Sequence, residues 1–142
     1  MIIDANGAIA GRLAAFVAKK LLEGEEVFVL NAEKAVISGN PVKIADTYRA
    51  RRGMRMMSNP EKSAKWPRKP DALFKKIVSG MLPKHSSRGA SALKRMRAYI
   101  GVPKEFEGKK AETFKKTVAN LNYKSISLEK MCVGLGWAHA AK

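Results

Sequence analysis

Four consecutive apolar residues, Val27–Leu30, constrain the fold of this chain most strongly. A strand that is apolar on both faces is typical of a parallel sheet, because the helical crossovers between parallel strands cover both sides of such a sheet. A helix is predicted just before it, since apolar residues recur at helical spacing from Leu13 to Leu21 and Gly24 can end the helix. The alternation of strand and helix patterns along the chain predicts an α/β fold.

The rest of the chain continues this alternation. Further short strands are predicted at 1–3, 35–37, 98–100 and 123–126, and further helices after Asn40, after Asp71, over 91–96 and after Ser127. Residues 104–122 fit either a helix carrying Phe114, Val118 and Leu121 or an extended tail. A hydrophobic content of 46% suffices for one compact domain, so we expect a single domain over 1–142. An arm over 48–69 and a C-terminal extension over 104–142, which ends in a helix, would belong to it.

The charge of the chain is concentrated in its middle third. The net charge is +16, of which residues 43–97 carry +13, whereas residues 1–42 carry −1 and residues 98–142 carry +4. Eight of the nine arginines also lie within 43–97. Because the planar guanidinium pairs well with phosphate and stacks on bases, this distribution indicates a nucleic-acid partner. No helix-turn-helix, zinc finger or basic zipper pattern is present, which favours RNA over DNA.

The densest part of this charge is the basic arm, defined here as residues 48–69. It holds eight basic residues against one acid, Glu61, and Gly53, Pro60 and Pro67 interrupt any regular element. Such a segment is expected to need a partner to order it.

Two features of the arm have alternative interpretations. Met54, Met56 and Met57 form either a flexible contact surface or a small cluster packed under the arm. Trp66 either stacks on an unpaired base or ribose, or anchors the arm to the domain.

Other function classes find little support in the sequence. Gly7 and Gly11 lack the spacing of a dinucleotide-binding loop, and no phosphate-loop lysine follows them. The two histidines, His85 and His139, have no cysteine or paired carboxylates nearby in the sequence, so we expect no catalytic site. His85 is instead expected to donate to phosphate. Cys132, the only cysteine, is expected in the core, which leaves no disulfide and no cysteine cluster for a metal.

Membrane and secretory features are also missing from the sequence. No run of about 20 apolar residues exists, and the N-terminus has no signal-peptide pattern, so a cytosolic protein is expected. No cofactor and no small-molecule substrate are expected.

Several segments together resemble one known family. They read IIDANGAIAGRLAAFVAKKLLEG, VFVLNAEKAVISGNP and FKKIVSGMLPKHSSRGASALKRMRAYIGVP, with a closing Leu-Gly-Trp. The chain resembles ribosomal protein L13, the uL13 family, and is more similar to its archaeal form because it has neither the N-terminal extension nor the insertion of bacterial relatives. The Met-rich stretch from Met54 to Ala64 departs from the family pattern.

The resemblance implies a three-layer α/β/α fold with a mainly parallel four-stranded sheet. It also implies a non-enzymatic place in the large (50S) ribosomal subunit in the cytoplasm, binding to the large-subunit (23S-type) rRNA, neighbouring ribosomal proteins and a role in subunit assembly. The alternatives left open are an enzyme acting on nucleic acid and a basic module that recruits a protein partner. The side chains expected to bind rRNA lie in two basic segments: Arg49, Arg51, Arg52, Arg55, Lys62, Lys65, Trp66, Arg68, Lys69, Lys84, His85, Arg88, Lys94, Arg95 and Arg97.

Overall fold

A computed structural model describes residues 1–114 and 123–138 of the chain. In chain order its strands and helices are β1 (Ile2–Asp4), α1 (Ala10–Glu23), β2 (Val27–Leu30), β3 (Val36–Ser38), α2 (Pro41–Gly53), α3 (Pro70–Met81), α4 (Ser87–Lys94), β4 (Met96–Ala98), β5 (Glu112–Thr113), β6 (Ser125–Ser127) and α5 (Leu128–Gly134). Short 3-10 turns occur at Ala32–Lys34, Pro60–Lys62 and Lys104–Phe106.

The centre of the fold is a parallel four-stranded sheet. Its strand order is β4-β2-β1-β5, and Ile3 pairs with Val29 while Val27 pairs with Met96. The α/β class with a mainly parallel four-stranded sheet is therefore confirmed, in agreement with the three-layer architecture that the resemblance implies.

The buried strand β2 is flanked by strands on both sides. Val27, Val29 and Leu30 are buried, as the apolar run predicts, whereas Phe28 is only half-buried. Phe28 lies on the opposite face of the sheet from Val27 and Val29, because successive side chains of a strand alternate. There it packs against Phe106 in the 3-10 turn, with the ring centroids 5.1 Å apart.

The helix ends follow local sequence signals. Gly24 ends α1 in the left-handed conformation, with φ of 101°. The Asn40 side chain accepts a hydrogen bond from the Val42 N–H at the start of α2, and the Ser127 hydroxyl accepts one from the Lys130 N–H at the start of α5. These starts were predicted from the same residues.

Two predicted boundaries between residues 84 and 100 are wrong. Helix α4 begins at Ser87 rather than at Ser91, and β4 spans Met96–Ala98 rather than 98–100. The misleading residue is Gly89, which usually signals a loop. Here it lies buried inside α4, where a Cβ would stand 2.0 Å from the Pro83 carbonyl oxygen. Only glycine allows that approach.

The C-terminal extension contributes to the sheet instead of being a separate tail. Glu112 and Thr113 form β5, which pairs with β1, and Phe114 packs on Phe16 with ring centroids 5.7 Å apart. Residues 104–114 do not form the α-helix considered for 104–122, so that prediction is wrong for this part. The rest of the range, including Val118 and Leu121, lies outside the described residues. The strand predicted over 35–37 is present as β3 but pairs with β6 in a separate antiparallel ribbon.

Candidate nucleic-acid interface

The basic arm begins as a helix. Helix α2 continues to Gly53, so Arg49, Arg51 and Arg52 stand on its last two turns. No residue of α2 is fully buried. A helix with so little buried surface depends on the contacts of a few side chains for its position.

The first of these contacts is a ring cluster at the base of the arm. Tyr48 and Trp66 meet edge to face with ring centroids 5.8 Å apart, and the Arg51 guanidinium carbon lies 5.3 Å and 5.2 Å from the two centroids. Lys76 of α3 approaches Trp66 at 5.9 Å. Burial raises the pKa of the Tyr48 hydroxyl, and the nearby Arg51 charge opposes that shift. Trp66 thus anchors the arm to α2 and α3, and a contact between Trp66 and RNA stays a prediction.

A second contact joins the arm to the end of α5. The half-buried Arg52 donates a hydrogen bond from Nη1 to the Leu135 carbonyl oxygen at 2.6 Å. Arg68 lies beside the same turn, since a Cβ on Gly136 would stand 3.9 Å from Arg68 Nη1. Carbonyls at the end of a helix lack helical partners and carry partial negative charge, so cations stabilise them.

Between Gly53 and Trp66 the arm is a loop with outward-facing side chains. Met54, Met56 and Met57 are 66%, 51% and 100% exposed. The interpretation of these methionines as a packed cluster is therefore wrong, and they form an exposed surface. A hydrogen bond crosses the loop: the Met56 N–H donates to the Ser63 hydroxyl oxygen at 2.8 Å.

Most cations of the arm are exposed. Arg49 pairs with Asp46 at 3.2 Å, a contact between two largely exposed side chains that contributes little to stability. The other exposed cations include Arg51, which also contacts the ring cluster. The rest are Arg55, Lys62, Lys65, Arg68 and Lys69.

The second basic segment, residues 84–97, has a different construction. Its cations stand on or around α4, and Lys84, His85, Arg88, Lys94 and Arg97 are exposed. His85 has φ of 59°, an unusual backbone conformation for a residue other than glycine.

Arg95 is the exception in the second basic segment. It is half-buried and donates a hydrogen bond from Nη2 to the Leu21 carbonyl oxygen at 2.9 Å, so it provides a partner for a backbone carbonyl at the end of α1. Whether Arg95 also contacts RNA stays a prediction.

Helix α3 separates the two basic segments. The arm ends at Lys69, which caps the start of α3, and the second segment begins two residues after Leu82, which caps its end. Twelve residues of helix span about 18 Å at ~1.5 Å per residue. Lys76 of this helix lies beside both segments, because it faces Trp66 of the arm and lines one pocket with Lys84 and His85.

The carboxyl ends of the parallel strands, where open α/β sheets commonly bind ligands, are filled by a structural network. Asn31, with φ of 52°, donates from its side chain to Asp4 Oδ1 at 2.9 Å. The buried Glu33 carboxylate accepts from the Gly101 N–H at 3.1 Å and 3.2 Å. These hydrogen bonds join the ends of β1 and β2 to the loop after β4. They give the polar side chains of the Asn31–Glu33 segment a structural role that needs no nucleotide ligand.

Histidine and cysteine, the residue types most often used as catalytic bases and nucleophiles, are few in this chain. His85 is exposed, and His139 lies outside the described residues. Cys132 is fully buried, as predicted, and burial raises the pKa of its thiol to about 12, with the nearby Asp71 charge adding to the shift. Across 1–114 and 123–138, no three acidic, histidine or cysteine side chains group as metal ligands would. In the same ranges no helix has the length and apolar character needed to cross a membrane.

Sequence reasoning missed some cations that the structure places beside the predicted ones. Lys76 faces the Trp66 ring from α3, and Lys43 is exposed near the start of α2. Both belong to the same basic third of the chain, and the high positive charge of that region is the sequence feature that indicates them. Both lie on regular helices outside the two basic segments.

Comparison with known proteins agrees with these features. Residues 1–105 match the family model described as ribosomal protein L13. The chain is 42% identical over 139 residues to the large ribosomal subunit protein uL13 of Aeropyrum pernix, covering 96% of this chain and 90% of the relative. It is 39% identical to the uL13 protein of Saccharolobus solfataricus, covering 97% and 93%, and 43% identical to that of Methanosarcina barkeri, covering 91% and 88%.

Proposed function

Since this chain belongs to the ribosomal protein L13 family, of archaeal type, we propose that it is a structural component of the large ribosomal subunit that binds large-subunit rRNA. The observation that carries the rRNA-binding part is the placement of the charge. The two basic segments, which precede and follow α3 in the chain, carry exposed cations, and Glu61 is the one acid within them. A protein surface of this composition relieves its self-repulsion by binding a polyanion.

The exposed cations and the two half-buried arginines have different roles in this proposal. The exposed side chains of the arm and of the second basic segment contact phosphates, which gives affinity that falls as salt rises. Arg52 and Arg95 hold the segments in place, because each donates to a backbone carbonyl at the end of a helix. Specificity comes from RNA shape and unpaired bases.

The presence of two basic segments supports a role in subunit assembly. A protein that neutralises phosphates through two basic segments can hold two RNA helices close together. The chain acts as one unit in this proposal, with the arm over 48–69 and the extension over 104–142 as parts of a single domain in the ribosome of the cytoplasm. Neighbouring ribosomal proteins are further partners.

A loop replacement tests the proposed role of the arm. Substituting residues 54–65 with a Gly-Ser linker of equal length removes Arg55, Lys62 and Lys65 but keeps the anchors Arg52 and Trp66. If all three contact phosphate, the slope of log affinity against log salt for large-subunit rRNA should fall by about 2 to 3, at ~0.7–0.9 per contact. Filter binding at several salt concentrations measures this slope, and chemical footprinting should show protection lost at the arm's RNA site.

The matched control changes the same loop without changing its charge. Replacing Met56 and Met57 with alanine should leave the salt slope as it is. An unchanged slope and footprint in the linker variant would remove the arm from the RNA interface. Failure of the wild-type chain to sediment with large subunits at moderate salt would contradict the placement itself.

The exposed methionines keep one alternative open, a surface that recruits a protein partner. Their exposure of 51% to 100% is high for side chains of this type. The methionine-to-alanine variant separates the two functions, because it should abolish capture of a protein partner after nuclease treatment while retaining rRNA binding.

A further inference from the structure

The arm encloses a small pocket of its own. Its volume is about 300 Å³, at the lower end of the range of roughly 300–1,000 Å³ typical of small-molecule sites. The pocket lies between the end of α2 and the returning loop, and it is lined by Arg52, Met54, Arg55, Pro60, Ser63, Ala64, Lys65 and Trp66.

Contacts already described hold three walls of this pocket in place. Arg52 is fixed by its bond to the Leu135 carbonyl oxygen, and Ser63 by the bond from the Met56 N–H. Trp66 is fixed by the Tyr48 ring. A pocket whose walls are held before the ligand arrives loses less conformational entropy on binding.

The chemistry of the lining is divided between cations and apolar surface. Arg55 and Lys65 are exposed and have no hydrogen-bond or ion-pair partner within the described part of the chain. No acid lines the pocket. Met54, Ala64 and Trp66 supply apolar surface, and sulfur and ring groups pack well against flat aromatic ligands.

We infer that this pocket receives one unpaired nucleotide of RNA, with its phosphate on Arg55 and Lys65 and its base against Met54, Ala64 and Trp66. The inference rests on the proposed function and deepens it by naming the RNA element that the arm selects. A nucleotide unites the two properties of the lining, an anionic group and a flat apolar ring. A base inside a duplex is stacked on both faces and cannot enter, whereas an extruded base can.

Filling the pocket tests this inference without changing the charge of the arm. Ala64→Leu places a larger side chain in the pocket, and Ala50→Leu adds the same atoms to an exposed position of α2 outside it. The probes are a fully paired RNA duplex and the same duplex carrying one extra unpaired nucleotide. Ala64→Leu should weaken binding of the bulged RNA about tenfold and leave the paired duplex unaffected. Ala50→Leu should change neither.

Tryptophan fluorescence gives a second measurement on the wild-type chain. Because Trp66 lines the pocket, the bulged RNA should quench the fluorescence more than the paired duplex does, and Ala64→Leu should remove that difference. Equal affinity and equal quenching with both RNAs, or the same loss of affinity for both in Ala64→Leu, would overturn the pocket inference and leave the proposed function standing. Failure of the wild-type chain to bind either duplex, with no sedimentation with large subunits, would instead overturn the proposed function.

Discussion

The basic arm and the second basic segment carry similar charge but are held by the fold in different ways. The arm is a helix end and a loop attached to the domain through a few side chains, chiefly Trp66 and Arg52. The second segment is built on α4, whose Gly89 and Ala92 are buried against the rest of the fold. Both project exposed cations, so their charge alone does not distinguish them.

The difference separates two consequences of mutation. Substitutions in the arm should change RNA affinity while the domain stays folded, because little of the arm is buried. In the second segment, substitutions at buried positions should lower the free energy of unfolding, whereas those at exposed cations should change affinity only. Three pairs of variants test this comparison.

The largest expected effect is at Gly89. In Gly89→Ala the new Cβ would stand 2.0 Å from the Pro83 carbonyl oxygen, so backbone of the preceding loop or of α4 must shift. The free energy of unfolding should fall by about 1–3 kcal/mol, the range typical of overpacking. Urea denaturation followed by circular dichroism measures the change.

Gly53→Ala in the arm is the matched control. Gly53 is the last residue of α2, but a Cβ there has no atom within 4 Å, and its φ is not positive. Stability should rise slightly or stay within about 0.5 kcal/mol, since alanine is the better helix former. If both variants lost the same free energy of unfolding, the arm and the second basic segment would be held by the fold in the same way, contrary to the difference described above.

The next effect separates two arginines of the second segment. Arg95→Met removes the hydrogen bond to the Leu21 carbonyl oxygen, and the free energy of unfolding should fall by about 1–2 kcal/mol. Arg97→Met, on the exposed side of β4, should leave stability within about 0.5 kcal/mol. It should instead lower the salt slope of rRNA binding by about one contact's share. Denaturation and filter binding on both variants supply the measurements, and a lowered salt slope in Arg95→Met at unchanged stability would reverse the two roles.

Much of the fold was predictable from sequence because its signals are local. The apolar run of β2, the αL glycine after α1, and the capping residues Asn40 and Ser127 each act within a few residues. The predictions failed where a distant contact decides the structure. Gly89 resembles a loop residue until Pro83 is placed against it, and β5 is too short to recognise without its partner β1.

The candidate interface was predictable as a region but not side chain by side chain. Regional charge identified both basic segments, since exposed cations need no partner within the chain. The same charge could not show that Arg52 and Arg95 donate to helix ends 83 and 74 residues away in sequence. Nor could it place Trp66 against Tyr48, a contact between the two ends of the arm.

The smallest effect on stability is expected within the arm, between Arg52 and Arg55. Arg52→Gln loses the bond to the Leu135 carbonyl oxygen, and the free energy of unfolding should fall by about 1 kcal/mol. Affinity for rRNA should also fall because the arm is held less firmly, but the salt slope should stay within about 0.3 of wild type because no phosphate contact is removed. Arg55→Gln should keep the wild-type stability and lower the slope by ~0.7–0.9. The two variants change residues that are three positions apart, and each removes one positive charge. If Arg52→Gln lowered the slope as much as Arg55→Gln does, Arg52 would belong to the phosphate contacts, and the arm would be held by its ring cluster alone.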